Sequence, residues 1–432
     1  MMQKLSQPHQ ISWRVPIFIG IVSFIIRCIF IHYWPDAFQY DAYQRWAARD
    51  YLFVQVWLPG AQVWVWLLGK LGGTMLHARY VFAFISAISL VLGARLAQQL
   101  STERAGFFFL PAICFGPYLV WGSAPYQEST LLLFLFSSLL LFKKYPRISD
   151  FLMGGVALVR YEGWPLLFVH LYLRRRREAI ICLWGVVLLV VLGMLGLNEP
   201  YGSSPDSFDD WKGLALLTQK RVWFLFRGFL KLGYNSGAFW IFGFSLIAFY
   251  KRKLEKEEWM LVFTFLGQAA AVVGWMFSLG IAFSRMMILL TIPMGVLAAA
   301  GLDRHWTKMG PWKFVLVGGL TVLSLWGLYD AYTDYKYYKK SIRWEIQLLS
   351  DIQKCSSDNW AITPRPHPGP RNRHDGCEVI QGLSNLKVGQ EFDCTTWEWG
   401  GPEPTISAIW NTETRKYDIQ RVRGKSEDVC PW

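Results

Sequence analysis

Two aspartates, Asp36 and Asp41, stand in P-D-A-F-Q-Y-D-A-Y-Q-R-W (35–46), directly after the first long apolar run of the chain. A carboxylate at the edge of an apolar medium can serve as a general base, taking the proton from a hydroxyl as its oxygen attacks. At ~100° per helical residue, positions 36 and 41 lie about 140° apart, so they do not form a side-by-side carboxylate pair. This favours Asp36 as the working carboxylate and Asp41 as its structural neighbour, spaced i, i+4 from Arg45 for a helix ion pair. Asp36 also fits the N-cap of a helix over the following residues, a role that does not exclude catalysis. Glu128 in A-P-Y-Q-E-S-T, Arg160 and Glu162 in V-R-Y-E-G-W-P, and Arg285 in F-S-R-M-M-I-L-L-T-I-P complete a set of ionisable groups among apolar runs. Such groups are costly at membrane depth and so point to function. The arginines suit an anionic group such as a phosphate. Glu128 and Glu162 read either as surface groups or as partners for Arg160, and Arg285 as a phosphate contact or a snorkelling cation. Lys220, Arg227 and Lys231, at i, i+7 and i+11, share one helical face. That face suits an interfacial helix facing phosphates, or simple snorkelling to lipid head groups.

The elements that must position these groups follow from composition. The 432 residues are 53% hydrophobic and 17% charged, with 23 Trp, 19 Tyr and 30 Phe. Apolar runs near the ~20-residue length that crosses a bilayer recur from residue 15 to about 330. The aromatic content suits two lipid–water interfaces. The net charge of +13 sits largely in short clusters: Lys143 to Arg147, Arg174 to Arg177 and Lys251 to Lys253. These read as cytoplasmic anchors, and the absence of a basic, aromatic-interleaved soluble domain argues against nucleic-acid binding. The first apolar run has no small-residue cleavage site after it and reads as a retained anchor.

With the N-terminus inside, the basic clusters order the crossings: 15–33, 79–99, 105–122, 129–142, a hairpin over 148–173, 179–197, 236–250, 259–279, 284–300 and 312–330. The stretch 53–70 is broken by Pro59-Gly60 and reads as an interfacial or re-entrant element on the external side. Residues 148–173 lie between two basic clusters and are too short for two full crossings, so a hairpin of short helices with Arg160-Tyr161-Glu162-Gly163 at its tip is expected, a single span being the rival. The expectation is an all-α polytopic membrane domain of about eleven transmembrane helices over 1–330. A small extracytoplasmic α/β or mostly β domain follows over 331–432. Asp36, Glu128, Arg160, Glu162 and Arg285 then converge on the external side.

Cys28, Cys114 and Cys182 lie in apolar segments and read as packing residues. Cys355, Cys377, Cys394 and Cys430 are confined to the polar tail, and their even number fits two disulfides in any of three pairings. A zinc site drawing on Cys377, Cys394, His367 or His374 is the alternative, without the C-x-x-C spacing that would favour it. Trp360, Trp397, Trp399 and Trp410 read as the core of this tail. The chain carries no P-loop, no G-x-G-x-x-G, no G-x-S-x-G and no H-E-x-x-H.

In order and sidedness, these motifs resemble the GT-C superfamily of membrane glycosyltransferases, which includes protein O-mannosyltransferases, bacterial aminoarabinose transferases and the mannosyltransferases of glycolipid-anchor assembly. P-D-A-F-Q-Y resembles the acidic motif of their first external loop, with Asp36 matching the essential acid and Ala37 where a second acid is frequent. W-L-P-G (57–60), S-A-P-Y-Q-E (123–128), V-R-Y-E-G-W-P (159–165) and S-R-M-M-I-L-L-T-I-P (284–293) resemble further family elements over roughly residues 15–300. The resemblance implies an inverting transfer from a polyprenyl- or dolichyl-phosphate sugar to a glycan, lipid or protein hydroxyl, mannose among the candidate sugars. It requires no cofactor and is compatible with a divalent Mg or Mn. A bacterial inner membrane is the expected location, the endoplasmic reticulum the alternative. A flippase for a lipid-linked sugar and a non-catalytic envelope-assembly protein are the competing functions.

Overall fold

The computed structural model describes residues 12–36, 40–52, 58–175, 177–194, 230, 233, 237–247, 253–279, 285–341, 360–363, 406–411 and 416–421. Within these, the helices are α1 (Arg14–Tyr33), α2 (Tyr40–Ala47), α3 (Pro59–Lys70), α4 (Met75–Leu100), α5 (Ala105–Phe108), α6 (Gly116–Trp121), α7 (Gln127–Leu141), α8 (Pro146–Ala157), α9 (Trp164–Arg174), α10 (Trp184–Met194), α11 (Ala238–Leu246), α12 (Lys256–Leu279), α13 (Met286–His305) and α14 (Trp312–Ser341). Strands β1 (Trp360–Thr363), β2 (Ile406–Asn411) and β3 (Lys416–Arg421) form one sheet, with β1 parallel and β3 antiparallel to β2.

Four of the described helical stretches are long and apolar enough to cross a membrane: Arg14–Tyr33, Met75–Leu100, Met286–Met309 and Trp312–Tyr337. Their burial follows the logic of a lipid solvent. On α1, Ile17, Ile21, Ile25 and Ile29 form an exposed stripe at i, i+4, while the polar Ser23 and Arg27 are buried. A soluble helix places these classes the other way round. Helix α13 is the axle of the bundle: every residue from Met286 to Asp303 is buried, and α4, α5, α11 and α12 pack around it. The chain is an integral membrane protein.

Two expectations are revised. The segment 105–122 is not one span. It folds as α5, a 3-10 turn at Leu110–Ala112 and α6, because Pro111 and Pro117 each remove a backbone donor and clash with a preceding turn. The broken segment is buried against neighbouring helices, where non-helical backbone is tolerated at membrane depth. The last crossing also outruns its expected end at residue 330, continuing as helix to Ser341. A count of eleven crossings draws on segments outside the described residues.

The hairpin over 148–173 is present as α8, a 3-10 turn at Tyr161–Gly163 and α9. Its two feet meet: the Arg174 Nη2 donates to the Pro146 carbonyl at 3.0 Å and the Arg174 Nε to Asp150 at 3.0 Å. His170 closes the same joint, its Nε2 2.7 Å from Asp150 Oδ1. The single-span rival would hold the feet a membrane apart. At the tip, α3 begins with Pro59 at its first turn, and the Gly60 amide donates to the Leu158 carbonyl at 2.7 Å. A Cβ on Gly60 would fall 2.7 Å from that oxygen, so the start of α3 reaches the hairpin tip only through a glycine.

The ionic groups sort to two ends of the bundle. At one end, Asp303 accepts from Ser101 at 2.8 Å and Thr102 at 2.6 Å, Arg304 pairs with Glu258 at 2.6 Å, and Lys143 pairs with Glu255 at 2.6 Å. The hairpin feet lie here, joined through Arg174 and the Phe142 carbonyl. Asp36, Glu128, Arg160, Glu162 and Arg285 belong to the other end.

Candidate active site

Asp36 follows the end of α1 by three residues. Pro35 removes a donor, and the helix stops. The freed carbonyls of Trp34 and Pro35 are both taken by one group, the Arg79 Nη1, at 2.5 Å each. Arg79 is fully buried near the start of α4. Its Nε donates to the Ser123 carbonyl at 3.2 Å, and its Nη2 lies 3.5 Å from the Tyr335 hydroxyl. Tyr335, on α14, stacks on Trp34 with ring centroids 5.8 Å apart and on Phe30 at 5.0 Å. The buried Tyr43 of α2 donates its hydroxyl to the Asp36 carbonyl oxygen. Five segments therefore fix the backbone that presents Asp36. The side chain is half-buried, and burial pushes its carboxyl above the ordinary carboxylate range; the Arg79 and Lys339 charges oppose this without cancelling it.

The neighbouring cluster is built on the hairpin tip. The Arg160 Nη1 donates to Glu128 Oε1 at 2.5 Å, its Nε to Glu162 Oε2 at 3.0 Å and its Nη2 to Glu162 Oε1 at 2.6 Å. Burial penalises each charge, but mutual attraction outweighs it: Arg160 is held above its usual value and Glu162 below, with Arg285 adding to the pull on Glu162. Arg285 sits over the Tyr126 ring, 5.2 Å from its centroid. Tyr126 follows Ser123 by three residues, so one loop, residues 122–126, links the Arg79 clamp to this cluster.

Thus the structure brings together Glu128, Arg160 and Glu162, with Arg285 beside them, and holds Asp36 across the same loop. The Asp41 side chain lies outside the described residues, as do Lys220, Arg227 and Lys231. Cys355, Cys377, Cys394 and Cys430 lie outside them too; Cys28, Cys114 and Cys182 are free thiols. Among the described residues no three His, Cys, Asp or Glu side chains are grouped to hold a metal. Elsewhere an apolar cavity of about 640 Å³ opens between α11, α13 and α14, lined by Trp240, Phe244, Leu302, Trp312, Leu323 and Trp326.

No protein-family model and no curated protein sequence matches the chain. Solved structures do. ArnT from Cupriavidus metallidurans bound to undecaprenyl phosphate superposes with a TM-score of 0.56 at 14% identity, over 92% of this chain and 93% of that one. The same protein in the apo state gives 0.54 at 13% identity, over 93% of each. The chain shares the fold of these ArnT structures. At this identity the likeness is one of fold alone, and residue roles rest on the geometry.

On this scaffold three groups carry weight that residue type and spacing alone did not assign to them: Arg79, Tyr335 and Lys339. Arg79 stood at the expected edge of a span, where a cation ordinarily snorkels. A sharper signal was available, since residues 75–100 otherwise carry only Arg95 as a charged side chain. Tyr335 and Lys339 fell beyond the expected end of the last helix.

Proposed function

We propose that the protein is an inverting glycosyltransferase that moves a sugar from a polyprenyl-phosphate carrier to an acceptor hydroxyl, with Asp36 as general base. The observation that carries this is the placement of Asp36: half-buried, raised in basicity, and anchored by Arg79 and Tyr43 at the end of the bundle where the other ionic groups gather. The GT-C fold supports it, as does the undecaprenyl phosphate bound to ArnT.

The acceptor O–H gives its proton to Asp36 while the oxygen attacks the anomeric carbon. The bond from that carbon to the phosphate oxygen breaks, and its electron pair leaves with the lipid phosphate. A phosphate is a stable anion, so the leaving group needs no general acid. Attack opposite the leaving group inverts the anomeric centre. No cofactor enters, and a divalent Mg or Mn is compatible with the step. The proposal puts the site on the face away from the cytosol, because Lys143 and Arg174 lie at the other end of the bundle, and takes the membrane to be a bacterial inner membrane.

The test is Asp36→Asn in purified full-length protein, supplied with polyprenyl-phosphate sugars. The expected outcome is a fall in transfer of roughly 10²–10⁴-fold with undecaprenyl phosphate binding retained, the range associated with loss of a general base. Wild-type turnover by this variant removes Asp36 from the role. The base must be ionised, so activity falls as pH drops through its raised pKa. The acid limb of kcat is therefore displaced above the ordinary carboxylate range.

A further inference from the structure

The cations around Asp36 divide by what they already hold. The Arg79 guanidinium is buried and directed at three backbone carbonyls. Arg160 donates from all three of its nitrogens to Glu128 and Glu162. Both are structural clamps in this arrangement. Lys339 is different. It lies on α14, four residues past Tyr335 and hence on the same helical face. Tyr335 is seated on Trp34 and Arg79, which turns that face toward Asp36. The Lys339 side chain is exposed, and its charge reaches the Asp36 carboxyl.

We infer that Lys339 is the contact for the donor phosphate, placing one wall of the phosphate subsite on the end of α14. This rests on the transferase reading above and names a residue for it. A lysine suits this role, because its ammonium is a compact charge on a flexible stem that can follow a phosphate as the leaving group separates. The attacking oxygen lies toward Asp36 and the departing phosphate toward Lys339. The proton goes to the first, and the phosphate charge that grows as the sugar–phosphate bond breaks is met by the second. Residue type and spacing pointed to Arg160, Arg285 and the Lys220 face for the donor phosphate; Lys339 differs from Arg160 in having no carboxylate within ion-pair distance among the described residues.

The experiment uses the full chain in lipid nanodiscs with three variants: Lys339→Met, Lys339→Arg and Asp36→Asn. Binding of undecaprenyl phosphate is measured directly, with inorganic phosphate as a competitor, and transfer is followed against pH. Loss of one charged contact predicts roughly 10–100-fold weaker undecaprenyl phosphate binding for Lys339→Met. Lys339→Arg should recover most of it. The charges that reach the Asp36 carboxyl are Arg79 from α4 and Lys339 from α14, and the Tyr43 hydroxyl of α2 donates to the Asp36 backbone carbonyl. Removing the lysine charge alone should move the acid limb of transfer to higher pH, a change that a packing role would not produce. Wild-type binding and an unmoved limb in Lys339→Met overturn the inference. If Asp36→Asn still abolishes transfer in that case, the transferase reading survives it. If Asp36→Asn turns over normally, that reading falls, and the lysine is judged on binding alone.

Discussion

Arg79 shows how a single side chain can determine the placement of the proposed general base, Asp36, which it need not touch. Its side chain satisfies the carbonyls of Trp34, Pro35 and Ser123. Arg79→Met leaves these acceptors without their donor at about 1–3 kcal/mol each where they stay buried, less whatever water recovers. Arg79→Lys keeps the charge but not the planar fork. Both variants should lower kcat by tenfold or more, as estimated from the sensitivity of catalysis to small misplacements of reacting groups. Undecaprenyl phosphate affinity should change little in Arg79→Lys. A lysine variant with wild-type kcat would show that charge alone, not the clamp, is what Asp36 requires. At this scale the sequence spoke unevenly. Glu128, Arg160 and Glu162 were legible because three charges among apolar runs demand mutual compensation. Arg79 was not, because its partners are backbone carbonyls, which leave no mark on residue type.

The hairpin α8–α9 is the element that most depends on charge. Its tip buries an arginine between two glutamates, one from the tip and one from α7. Breaking such a group is costly, whereas replacing it whole by neutral residues of similar shape is often tolerated. Arg160→Met should therefore destabilise the protein by about 3–5 kcal/mol. The triple variant Arg160→Met, Glu128→Gln, Glu162→Gln should recover a large part of that loss. Thermal unfolding in detergent separates the two outcomes, and a triple variant as unstable as the single one would refute a simple charge-compensation role. The hairpin could be read from sequence through the basic clusters at its feet, now seen joined through Arg174 and Pro146. The break at 105–122 was as plainly written, in Pro111 and Pro117, but overall hydropathy masked it. Helix α14 outran its expected end because Tyr332, Tyr335 and Tyr337 extend an aromatic helix that hydropathy no longer scores as apolar.

For the whole molecule, the fold was legible in outline because the order of charged turns along the chain carries topology, even at an identity of 14% to a solved structure of the same fold. The proposed transfer reaction, however, needs more than a fold: the two ends of the bundle must face different compartments. Tyr161, exposed at the hairpin tip, and Lys308, at the turn after α13, lie at opposite ends of the bundle. A cysteine placed at Tyr161 in sealed, right-side-out vesicles should react with a membrane-impermeant maleimide. A cysteine at Lys308 should react only after the vesicles are opened, because the proposed orientation puts the basic residues near it on the cytosolic side. Parallel samples of the parent protein correct for its own thiols, of which Cys182 is buried and Cys28 and Cys114 are half-buried. The reverse pattern would turn Asp36 toward the cytosol. A lipid-linked sugar presented on the outer face could not then reach it, and the geometry around Asp36 would have to serve a donor presented on the cytosolic face.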